Sequence, residues 1–118
     1  MKPVNLNLDM WTDSAFNENV TVTLNGNPQD FTSWQFKAIA CEAYADPAAL
    51  FTFTVTPASG GVLGLFVSTD DMLLAFPAGD TASKKSLPWV LKAKPGTTYP
   101  IRLAYGVITL HRGLPPWA

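Results

Sequence analysis

The sequence predicts an all-β domain, and three observations carry that reading. About seven short segments alternate apolar and polar residues with a period of two, turn residues separate them, and no amphipathic stretch is long enough for a core helix. With 118 residues and 47% hydrophobic content, the chain is long enough to bury a core without a metal or disulfide staple. The expected architecture is an antiparallel β-sandwich over residues 1–113, with 114–118 as an extended C-terminal arm.

Val4, Leu6, Leu8 and Met10 alternate with Asn5, Asn7 and Asp9, which places four apolar side chains on one face of a first strand. Val20, Val22 and Leu24 alternate with Thr21 and Thr23 as a second, and Asn25-Gly26-Asn27-Pro28 ends it as a tight turn. The third strand, about Ser33 to Cys41, sets Trp34, Phe36, Ala38 and Ala40 toward the core. Asp46 to Ala49 reads as a turn before Phe51, Phe53 and Val55 alternate with threonines up to Pro57. Ser59-Gly60-Gly61 turns the chain into an apolar strand, Val62 to Val67. Thr69-Asp70-Asp71 then opens a single helical turn through Phe76, with acids in its first turn.

Ser86 to Lys92 forms a sixth strand, Lys94 to Thr98 a turn, and Arg102 to Arg112 a seventh strand. Leu103 and Tyr105 share a face, but beyond Gly106 the apolar phase slips, which predicts a bulge or bend at that glycine. Pro115 and Pro116 cannot continue a sheet, so the terminus reads as an arm tipped by Trp117.

Composition narrows function more by exclusion than by motif. Eight basic residues against nine acidic ones give a formal charge of −1, which offers no electrostatic footprint for gripping a phosphate backbone. The doublet Lys84-Lys85 reads as a solvated turn. The opening MKPVNLNLDMW alternates and so predicts no signal peptide, and no window approaches the roughly 18 apolar residues of a membrane span. One cysteine, Cys41, permits no intrachain disulfide, and its apolar neighbours suggest a core position. His111 stands without HxH, HExxH or GxSxG spacing, so a strand-end surface role is the simpler reading than zinc or a serine triad. Asp9, Asp13, Asp70 and Asp71 could supply oxygen ligands to calcium, but helix-start electrostatics and a strand break explain them more simply. Gly60-Gly61-Val62-Leu63-Gly64 precedes a strand and not a helix, unlike a phosphate loop. No catalytic residue, cofactor or metal site is expected. Asn19-Val20-Thr21 satisfies the N-glycosylation pattern, which matters only in a secreted chain.

The order of phrases from Gly26 to Gly113 resembles the N-terminal domain of tailed-phage upper baseplate proteins and related small tail adaptors. The carrying residues are NGNPQDFTSWQFK at 25–37, the acidic connector at Thr69 to Phe76, LPWVLK at 87–92 with Pro95-Gly96, and RLAYGVITL at 102–110. Ser33 stands where that family usually has Gly, and Trp89-Val90 where it often has an aromatic-Asp pair. The resemblance implies an immunoglobulin-like sandwich in a phage tail, made in the host cytoplasm, that packs as a homo-oligomer against other virion proteins. It carries over no catalytic residues.

An open sheet has unpaired edges, and this chain has few strand charges with which to blunt them, which points to pairing or docking with other subunits. Trp11 and the terminal Leu114, Pro115, Pro116 and Trp117 are the candidate docking residues. The alternative is a carbohydrate-binding module that stacks a host glycan on Trp11 or Trp117; nucleic acid and membrane are not expected partners.

Overall fold

The computed structural model describes residues 3–24, 27–28, 30–43, 46–96 and 99–113. The strands are β1 (Val4–Asn5), β2 (Leu8–Trp11), β3 (Phe16–Thr21), β4 (Thr23–Leu24), β5 (Asn27–Pro28), β6 (Trp34–Ala43), β7 (Asp46–Pro57), β8 (Val62–Val67), β9 (Lys84–Pro95) and β10 (Ile101–His111). One short helix, α1 (Thr69–Leu73), links β8 to β9. The fold is all-β.

The main sheet runs β1-β10-β9-β6-β7-β8-β3, with β2 also on β10, while β4 and β5 pair with each other. β7 turns the corner of this sheet. Its residues up to Phe53 pair with β6, whereas Thr54 to Pro57 pair with β8, and a strand that changes neighbours midway curls a sheet around its own core. Phe16 on the far edge strand therefore meets Phe53 edge-on, with ring centroids 6.1 Å apart, and Phe53 tilts against Trp89 at 5.5 Å.

That last contact crosses β6, and small residues make it possible. Ala38 stands opposite Phe53 on one side and Leu91 on the other, while Ala40 stands opposite Phe51 and Trp89. All six are buried. A pair of alanines between two bulky rows lets the rows close over them at interior packing density. Phe31, wholly buried, joins the same core from the turn before β6, with Trp34 and Phe36 edge-on to it at 4.9 and 5.9 Å. The turn is set by Asp30, whose Oδ1 accepts from the Thr32 N–H at 3.0 Å and the Thr32 hydroxyl at 2.8 Å. Those two bonds hold the Asp30 carboxyl below its ordinary pKa.

The sheet is not wholly antiparallel, because β1 and β2 both pair parallel with β10. The break between them is a notch over Gly106. A Cβ at Gly106 would overlap the Leu6 backbone carbonyl. The Leu6 N–H donates to the Tyr105 carbonyl at 2.7 Å, the Val107 N–H donates to Asn7 Oδ1 at 3.1 Å, and Trp89 Nε1–H donates to the Leu6 carbonyl at 2.8 Å. The irregularity expected at Gly106 lies instead between Arg102 and Ala104, where Leu103 and Ala104 are buried in succession. Gly106 serves close backbone approach and not a bend.

Other expectations also shift. The turn read at Asp46 to Ala49 lies inside β7, and the second strand begins at Phe16 and breaks at Val22, whose N–H donates to Gly61. The Asn25-Gly26 turn lies outside the described residues. The expected N-cap at Thr69 is instead the first helical residue, and the cap of α1 is Ser68, whose hydroxyl accepts from the Asp71 N–H at 3.2 Å. Cys41 is half-buried and lies outside the buried core cluster.

The doublet Lys84-Lys85 opens β9 and is no solvated turn. Lys85 Nζ donates to the Ala75 carbonyl at 2.6 Å and pairs with Asp80 Oδ2 at 2.5 Å. Arg112 donates to the Asp80 carbonyl at 2.7 Å, and both cations flank the Phe76 ring at about 5 Å. These ties fasten the α1 connector to the sheet. Pro88 sits mid-strand without breaking β9 because pairing with β6 ends at Trp89, so no ladder bond from that side is lost.

Candidate functional site

Strand alternation gives the β10-β9-β6 part of the sheet a second face, opposite the core. On β9 the core takes Leu87, Trp89, Leu91 and Ala93, so Pro88, Val90, Lys92 and Lys94 point outward. The register then defines rows across neighbouring strands. Ile39, Val90 and Tyr105 stand side by side, and Pro88 faces Val107 one step along. Ile39 and Val90 are half-buried yet belong neither to the core cluster nor to the residues packed on it. They shelter one another on the outer face. This apolar band covers three strands, about 10 Å, where a solvated face would alternate to polar residues.

Charged groups flank the band at both ends. Beyond Tyr105 the next row is Lys37, Lys92 and Arg102. Beyond Val107, past Ser86 and Thr109, lies a row of Lys84, His111 and Trp11. The Trp11 and His111 rings stack at 4.1 Å and 15°, and His111 Nε2 lies 2.6 Å from Asp9 Oδ1. An ionised carboxylate only accepts, so the ring proton belongs on Nε2. Trp11 remains 49% exposed and borders a shallow hollow of about 190 Å³ shared with Asp9, Ser14, Asn17 and Glu18.

Trp11 is thus the one predicted docking residue that the described structure places; Leu114, Pro115, Pro116 and Trp117 lie outside the described residues. Asp9 is committed to His111, and Asp13 packs against Gly113, where a Cβ would overlap its carboxyl group. The Gly113 N–H donates to the buried Thr12 hydroxyl at 2.9 Å, which fastens the end of β10 to the loop after β2. Among the described residues no group of three or more His, Cys, Asp or Glu gathers as a metal site. The apolar band was missed from the sequence because Ile39, Val90 and Val107 read there as ordinary strand residues. Only the register shows that they share one face.

No protein-family model and no curated protein matches the sequence. Among solved structures the chain is similar to one described as the N-terminal domain of phage TP901-1 ORF48, with 12% identity, a TM-score of 0.47, and coverage of 94% of this chain and 89% of that one.

Proposed function

We propose that this chain is a structural component of a bacteriophage virion, a tail or baseplate adaptor that acts by docking onto neighbouring protein subunits through the outer face of its sheet. The observation that carries the docking is the apolar band of Ile39, Val90, Tyr105, Pro88 and Val107, outside the core and bordered by charge at both ends. The phage context rests on the resemblance of the sequence phrases, and the immunoglobulin-like sandwich and homo-oligomeric packing belong to the same proposal.

The test is the composition of tailed particles purified from cultures of the strain that encodes the chain. Mass spectrometry is expected to find the chain in repeated copies per particle; its absence from intact particles would refute the assignment. Light scattering of the purified protein tests self-association, with a concentration-dependent oligomer that Val90→Lys disperses as the expected result.

A second reading has its own observation. The exposed Trp11 ring, held by His111 and set beside the Asp9 carboxylate and the Glu18-lined hollow, offers a stacking surface with hydrogen-bonding groups next to it, as a sugar requires. A glycan array showing binding that Trp11→Ala removes would establish it. Binding indifferent to that substitution would eliminate it.

A further inference from the structure

We infer that the cationic row at one end of the outer face is a recognition site for carboxylates on an acidic segment of a partner protein, an inference that rests on the docking reading above. Lys92 faces Lys37 on one neighbouring strand and Arg102 on the other, and Lys94 follows on the same face opposite Gln35. Half of the eight Lys and Arg residues of the chain are gathered there. The ion pairs among the described residues are Lys85 with Asp80 and His111 with Asp9, so none of these four cations has a carboxylate partner among the described residues.

Like charges directly opposite each other across strands destabilise a sheet. The fold gains no ion pair from this row among the described residues, whereas Lys85 and Arg112 show how the same chain ties a cation down when it serves structure. Geometry fixes the chemistry of the occupant. Adjacent strands place the backbone positions of successive cations about 4.8 Å apart, close to the roughly 5–6 Å between the Cβ atoms of residues three or four apart on one helix face. Beside the row lies a hollow of about 370 Å³ lined by Phe36, Lys37, Lys92, Ala93, Lys94 and Pro100. It can take an apolar side chain from the same segment. A nucleic acid fits less well, because the row extends only about 10 Å and so reaches few phosphates, on a chain whose formal charge is −1.

The test titrates the ¹⁵N-labelled full chain with a helical peptide carrying glutamates at i, i+3, i+4 and i+7 around one leucine, with its glutamine counterpart, and with a DNA duplex. Expected are shift changes at residues 35–37, 92–94 and 102 with the glutamate peptide, and at least tenfold weaker binding by Lys37→Glu/Lys92→Glu. The unfolding midpoint of Lys92→Glu should be equal or higher, which separates lost binding from lost folding. No peptide binding, binding unchanged in the double variant, or tighter Lys92-dependent binding of DNA would each overturn the proposal. Particle incorporation separates it from the docking reading. Exclusion of Val90→Lys alone keeps the docking face and removes the carboxylate role; incorporation of both variants removes the docking face itself; exclusion of both supports the two together.

Discussion

The two faces of β9 differ in how completely their residues are partnered. Inward, Leu87, Trp89, Leu91 and Ala93 are buried, and the Trp89 indole N–H is placed on the Leu6 carbonyl. Outward, Pro88 and Val90 join an apolar band that lies outside the core cluster of the described residues, and Lys92 stands between two other cations. Because side chains alternate with a period of two, one strand can satisfy the fold on one face and leave the other to a partner. Full partnering marks residues that serve stability; systematic lack of it marks residues with another use.

The sharpest way to break the inner face is Gly106→Val. Its Cβ would overlap the Leu6 carbonyl, forcing the first strand off β10 and parting Trp89 from its acceptor. Overpacking together with a lost buried bond is expected to cost about 3 kcal/mol or more, read by urea denaturation. Trp89→Phe isolates part of that effect: it keeps an aromatic ring but deprives the Leu6 carbonyl of its indole donor, at about 1–3 kcal/mol. A near-neutral result would mean that the notch is held by packing alone. On the outer face the sign should reverse. Lys92→Glu places a carboxylate between Lys37 and Arg102 and is expected to stabilise by about 0.2–1 kcal/mol. Destabilisation would show that the row serves the fold after all.

Much of the inner face was legible in the sequence. The phase of Phe51, Phe53, Trp89 and Leu91 needs only alternation, and the Gly and Pro turns bounded most strands. Other features depend on residues distant in the chain. Gly106 gave the right position for something unusual and the wrong cause, since the carbonyl that requires a glycine comes from Leu6. β3 starts in Phe16-Asn17-Glu18-Asn19, a polar run with no alternation, and becomes a strand because β8 offers it a ladder. Lys85 looked solvated because Asp80 and Ala75, which hold it, come from the connector folding back. Of the candidate docking residues Trp11 was legible as an exposed aromatic, but its stacking on His111 and the cationic row both require the cross-strand register.

The smallest effect separates the two kinds of cation through pH. Lys85 is tied to Asp80, and that hydrogen bond, followed by the one from the Ala82 N–H, holds the Asp80 carboxyl below its ordinary pKa. A carboxyl with a folded pKa lower than its unfolded value near 3.9 contributes stability above that value, and the contribution is lost as the pH falls through the folded pKa. Asp80→Asn should therefore lower stability at neutral pH, and the gap between variant and wild type should close on acidification below about pH 4. Removing a charge from the Lys37, Lys92 and Arg102 row, as in Lys92→Gln, should produce no such acid-dependent gap, because among the described residues no carboxylate is paired there to be protonated. A gap that persisted in acid for Asp80→Asn would assign Asp80 a packing role and not an electrostatic one. Equal pH profiles for the two variants would show that Lys85 and Lys92 are held alike, and would remove the distinction on which the carboxylate site rests.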